Sequence, residues 1–133
     1  MDTIKVVTAG IIVSEGKILL TRRGKNESVP GKWEFPGGKV EPGETVKQCL
    51  ERELFEELHI ATQSGETLGE SVYKYDHGEF RLIAISSRII SGDIKLSVHD
   101  KYEWVELHDL LSFDLAPADL PLAKLIMEKH HVL

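Results

Sequence analysis

From Ile4 to Val13 the apolar positions Ile4, Val6, Val7, Ala9, Ile11, Ile12 and Val13 crowd together and are largely β-branched, which predicts a central strand. Ser14-Glu15-Gly16 turns the chain, and Lys17 to Arg23 reads as the hairpin partner, with two arginines at its far end. Residues 24–32, rich in Gly, Asn, Ser and Pro, form a loop. A short segment over 33–35 follows, closed by Pro36-Gly37-Gly38. The clearest helix spans 45–58: Thr45 stands as N-cap, Gln48 occupies the capping-box position, and no glycine or proline interrupts the run. Strands over 73–75 and 80–90 flank an Asp76-His77-Gly78 turn. Ser91-Gly92-Asp93 turns again, and a strand over 102–105, a turn over 107–111 and a helix from 120 to about 130 complete the chain. Strands outnumber helices and do not alternate with them, so an α+β domain with a mixed sheet between helices is expected.

The chain of 133 residues is read as one domain, 1–133, since 41% apolar and 29% charged residues suit a single core. Its net charge, 22 acidic against 16 basic side chains or −6, argues against a nucleic-acid polymer as partner but leaves room for a small anion. No apolar run is long enough to cross a bilayer and no signal-peptide pattern opens the chain, so a cytoplasmic protein without membrane attachment is expected, as a monomer or homodimer. The lone Cys49 reads as a small core residue. His77 and His130-His131 lack partners for a metal site, and Trp33 and Trp104 read as packing residues.

Within Arg52-Glu53-Leu54-Phe55-Glu56-Glu57, the glutamates at 53, 56 and 57 are spaced i, i+3, i+4 and share one arc of the helix. Like charges so placed repel unless a cation lies between them, and an all-oxygen donor set favours a hard ion such as Mg²⁺, with Mn²⁺ as the alternative. A Glu-rich solvated face is the plain alternative. Val46, Leu50 and Leu54 set the apolar stripe beside these glutamates, which puts the carboxylates at a cleft edge. Arg52 is suited to hold one carboxylate by a bidentate pair.

The run Gly38-Lys39-Val40-Glu41-Pro42-Gly43-Glu44, then seven residues, then Arg52-Glu53-Leu54-Phe55-Glu56-Glu57-Leu58-His59-Ile60 resembles the signature of the Nudix hydrolases. One position departs: His59 stands where the family has glycine, at a helix end that calls for a left-handed residue. Trp33 to Lys39 and Leu115 to Leu122 look like the MutT-like branch, the latter stretch like its bacterial CTP pyrophosphohydrolases. The resemblance implies the Nudix αβα sandwich and attack of water on an internal phosphorus of a nucleoside triphosphate, releasing pyrophosphate. It further implies metal ligation by Glu53, Glu56, Glu57 and the Gly38 backbone, and catalysis by Glu44 and Glu53 with Arg52 beside them. Arg23 and Lys39 would contact phosphate, with a solvated cation as the alternative for each. Many relatives carry a further glutamate near Val98-His99-Asp100, where His99 or Asp100 are the substitutes on offer.

Asp119 reads as the N-cap of the last helix and, by the same resemblance, as the residue that reads the base. An ionised carboxylate only accepts hydrogen bonds, which favours a cytosine amine over 8-oxo-dGTP; a protonated one would also donate. Phe35, Tyr73, Tyr75 and Phe80 are candidates for stacking on the base or for the core. The expected activity is thus a Mg²⁺-dependent nucleotide pyrophosphohydrolase acting on cytosine nucleotides. The alternatives are an 8-oxo-dGTP diphosphatase, an ADP-ribose or nucleotide-sugar pyrophosphatase, or a non-catalytic nucleotide sensor.

Overall fold

The computed structural model describes residues 3–129, which leaves His130 and His131 outside the described residues. The elements run β1 (Thr3–Ser14), β2 (Lys17–Arg23), β3 (Trp33–Glu34), α1 (Val46–Leu58), β4 (Ala61–Tyr75), β5 (Gly78–Ser91), β6 (His99–Glu106), a 3-10 turn (Leu107–Ser112) and α2 (Asp119–Glu128). The strands make a mixed six-stranded sheet in the order β3-β2-β1-β5-β4, with β6 paired to β2. β1 runs parallel to β5, from Thr3 opposite Gly78 to Ile12 opposite Ser87, while β4 pairs antiparallel with β5.

Both faces of this sheet are covered, which explains why β1 reads as a nearly unbroken apolar run. On one face Ala9, Ile11, Ile18, Leu20, Leu82 and Ala84 pack against Leu122, Ala123 and Ile126 of α2. On the other, Ile12, Leu19 and Ile85 meet Leu50, Leu54 and Leu58 of α1. The result is the expected helix-sheet-helix sandwich.

The ends of α1 follow the sequence closely. Gln48 N donates to Thr45 Oγ1 at 3.1 Å and Thr45 N to Gln48 Oε1 at 2.9 Å, closing the capping box. His59 takes the left-handed conformation at φ 60°, and its N–H donates to Phe55 O at 3.0 Å. A further contact, Nδ1 of His59 with Lys95 O at 2.9 Å, compensates the departure from glycine.

Several expectations are corrected. Strand β4 extends back from 73–75 to Ala61, a stretch that hides few apolar residues because it is an edge strand broken by register shifts near Ser64, Thr67 and Gly69. The cap position of α2 belongs to Ala118, whose side chain makes no capping bond, and Asp119 is the first helical residue instead. Its carboxylate turns inward, where Oδ1 accepts from Phe35 N at 3.0 Å. That bond holds Asp119, 6% exposed, away from the cap of its own helix. Strand β6 starts at His99, earlier than the expected 102, and α2 ends at Glu128.

Candidate active site

Residues 36–40 run along β1 as an irregular strand, tied by Gly10 N to Pro36 O (2.6 Å), Thr8 N to Gly38 O (2.8 Å) and Val40 N to Val6 O (2.9 Å). Side chains have no room here. A Cβ on residue 37 would lie 2.0 Å from Thr8 O, and one on residue 38 would lie 2.2 Å from the carboxyl carbon of Glu53. Gly38 therefore lets the first turns of α1 press a carboxylate directly onto the loop backbone. Cys49, fully buried, completes this seam: its thiol donates to Gly38 O at 3.4 Å, and burial pushes its pKa up to about 11, so it serves as packing and not as a nucleophile.

Arg52 organises the acids around it. Its Nε and Nη2 form the expected bidentate pair with Glu44, at 3.0 and 2.7 Å, while Nη1 reaches Glu53 Oε1 at 3.0 Å and Glu56 Oε1 at 2.9 Å. Glu44 also accepts from Glu41 N at 2.9 Å. These bonds, the Arg52 pair foremost, pull the Glu44 pKa down to about 2. Such a carboxylate is a weak base with both oxygens occupied. Glu44 thus acts as the clamp that orients Arg52, and the expectation that it handles the water's proton is not carried by its position.

Beyond this ring lies a cavity of about 490 Å³, walled by Gly38, Glu53 and Glu57 at one side and by Tyr73, Phe80 and Asp119 among others at another. Burial raises the pKa of Glu53. Burial also pushes Glu57 up to about 7; His99 acts in the opposite sense, and the charges of Glu53, Glu34 and Glu27 add to the rise. Two half-buried carboxylates held at this cost are what a divalent cation relieves, and their oxygen donors beside the Gly38 backbone suit a hard ion. Glu56, expected as a metal ligand, is exposed, pairs with Arg52 and does not line the cavity, whereas Lys39 is exposed and does. Glu106, His108 and Asp109 group their ligand atoms within 4.8 Å of one another, yet all are exposed and none lines the cavity.

The far wall differs from expectation in three places. Arg23 does not extend freely toward a phosphate: Nη1 bonds Glu34 Oε1 at 2.7 Å, Nη2 bonds Ser28 Oγ at 2.8 Å, and Nε donates to Ser28 O. Its guanidinium is in the cavity wall, but two of its five donors brace the 24–32 loop. Asp100 leaves the site altogether, paired with Arg22 at 2.7 Å on the surface, whereas His99 turns in and bonds Glu34 Oε2 at 2.9 Å. Finally, burial and the nearby Glu34 charge lift the pKa of Asp119 to about 8, against the pull of Phe35 N–H and Arg23, which favours the protonated carboxyl, the form that would also donate. Sequence reasoning missed Glu34 and Glu27. Among the aromatics, Phe35 is 3% exposed and packs with the core while lining the cavity together with Tyr73 and Phe80, and Tyr75 lies against Phe80 at 5.1 Å.

Residues 4–126 match the NUDIX domain, and the chain belongs to this family of hydrolases. It is 39% identical to the CTP pyrophosphohydrolase of Escherichia coli K12 over 127 residues, covering 96% of this chain and 93% of that one. The 8-oxo-dGTP diphosphatase of the same organism is 34% identical over 121 residues, 90% of this chain and 94% of that one. Among solved structures, that of the E. coli ORF135 protein superposes with a TM-score of 0.84 at 36% identity, covering 96% of this chain and 91% of the other. No helix among the described residues is long and apolar enough to cross a membrane.

Proposed function

We propose that this protein is a divalent-metal-dependent nucleoside triphosphate pyrophosphohydrolase that converts a free (d)NTP and water into (d)NMP and pyrophosphate, with preference for cytosine. The observation that carries the reading is that one cavity is lined together by Glu53, Glu57, Asp119, Tyr73 and Phe80. One end suits a metal-bound triphosphate and the other a base.

Glu53 and Glu57, with help from the backbone around Gly38, would hold the ion, taken to be Mg²⁺ with Mn²⁺ as alternative. When bound, the ion neutralises phosphate charge and acidifies water. Glu53 orients the attacking water and accepts its proton as the water oxygen bonds to an internal phosphorus and the bond to the bridging oxygen breaks, the electron pair leaving on pyrophosphate. Arg52, tied to both Glu44 and Glu53, keeps that carboxylate aimed. Lys39 and the unspent donors of Arg23 are the cations nearest the phosphates.

A protonated Asp119 offers a donor and an acceptor together, which matches the N3 and N4 edge of cytosine. Likeness to a CTP pyrophosphohydrolase at 39% identity supports the same base. A second reading has its own observation: the neutral carboxyl also matches the O6 and N7–H edge of 8-oxoguanine, and an 8-oxo-dGTP diphosphatase is among the relatives. Pyrophosphate release measured side by side with CTP, dCTP, 5-methyl-dCTP, dGTP, 8-oxo-dGTP and ADP-ribose decides between them. Highest kcat/KM on the cytosine set supports the proposal, highest on 8-oxo-dGTP replaces it with the second reading, and no turnover of any of them leaves a nucleotide-binding role only.

A further inference from the structure

His99 is 6% exposed, lines the cavity, and is absent from the signature that defines the family's metal site. Its placement comes from an irregularity in the sheet. Along the β2–β6 pair Arg22 faces Lys101 and Arg23 faces His99, so Asp100 is the extra residue of a bulge. That bulge sends Asp100 out to Arg22 and turns His99 inward.

Inside, the imidazole meets Glu34. The Glu34 carboxylate accepts from Arg23 through Oε1 at 2.7 Å and contacts His99 Nε2 through Oε2 at 2.9 Å. A carboxylate engaged with a guanidinium is an acceptor, so Nε2 carries the proton of this bond. The other ring nitrogen, Nδ1, is buried and finds no hydrogen-bond partner among the described residues. An orphaned polar atom in a core calls for a reason, because an apolar side chain of similar shape would avoid it. The reason lies at the other nitrogen. Glu34 is the joint between β3, the Arg23 guanidinium and, through Arg23, Ser28 of the 24–32 loop.

We infer that His99 is a positioning residue of the nucleotide subsite: its Nε2–H locks Glu34 into the cavity wall and thereby fixes Arg23 and the loop that Arg23 braces. The inference rests on the proposed nucleotide reading of this cavity. It assigns His99 to binding and not to the water-activating end, so losing it raises KM and spares kcat.

The test compares His99→Leu, which removes the donor but keeps bulk, with His99→Gln, whose amide N–H replaces Nε2–H and which has no counterpart to Nδ1. Expected for Leu is a KM about tenfold higher with kcat within threefold, and for Gln a KM within threefold of the parent. Calorimetric titration with CMP, which needs no turnover, should show the same tenfold loss and rescue in Kd. A merely structural histidine would instead lower the melting temperature without separating KM from kcat. Leu with unchanged KM and CMP affinity overturns the inference, as does a fall in kcat at constant KM. Failure of Gln to restore binding overturns it too, and points to Nδ1 as the working atom. If the parent turns over no nucleotide yet CMP binding follows the Leu and Gln pattern, the activity reading fails and the inference about His99 stands.

Discussion

The carboxyl carbon of Glu53 lies 2.2 Å from where a Cβ on residue 38 would stand, so a helix side chain and a loop backbone share one space. The glycine of the signature is needed for that closeness, and the Gly38 loop is in turn held by Thr8, through both its backbone and its hydroxyl. Gly38→Ala must push Glu53 away. Displacement near 1 Å of a positioned group costs about a hundredfold in rate. The expected result is kcat reduced by about that factor with far-ultraviolet circular dichroism unchanged, and full activity in the alanine variant would show that Glu53 works from elsewhere.

Glu57 holds its proton up to about pH 7 because it is buried among other carboxylates. An ion binding there must displace that proton. Below the pKa, affinity for Mn²⁺ should therefore rise about tenfold per pH unit and level off above it. Glu57→Gln removes both the competition and the charge, so calorimetric titration between pH 6 and 8 should give weak, flat binding and turnover lower by orders of magnitude. A parent affinity that does not change with pH excludes Glu57 as a ligand.

Asp119 allows a stability prediction with a definite sign. Its folded pKa, about 8, exceeds the ordinary value of 3.8, so across that window the folded protein keeps a proton that the unfolded chain has released. Stability contributed by this group is present at low pH and falls as pH rises through the window. Asp119→Asn still accepts from Phe35 N–H but does not titrate. In urea denaturation, the variant should gain at least about 1 kcal/mol on the parent between pH 5 and pH 8. Parallel pH profiles for the two proteins would place an ionised aspartate in the core.

His59→Gly restores the residue type expected at a left-handed helix end. Relief of the strained conformation is about 1 kcal/mol, but the variant loses the His59 Nδ1 bond to Lys95 O, which contributes about 1 kcal/mol, and gains chain entropy when unfolded. The terms cancel. Thermal melting should shift by less than about 4 °C, whereas a larger increase would mean that the bond to Lys95 contributes nothing.

Local rules were enough for much of this protein. The capping box at Thr45 and Gln48, the left-handed turn at His59, the one-sided stripe of α1 and the shared arc of Glu53, Glu56 and Glu57 all follow from interactions within a few residues, which periodicity and spacing express directly. The signature carried the family for the same reason, since most of its residues sit on one loop and one helix. Strand β4 was largely illegible because an edge strand facing solvent needs no apolar alternation and takes its conformation from β5. What the tertiary structure alone decided is which distant residues meet: the Asp119 carboxylate with Phe35 N–H, Glu34 with His99 and Asp100 with Arg22. Partners 78 and 84 positions apart leave no mark in local pattern, and the proton on Asp119 depends on burial, a property of the packed fold and not of the residue.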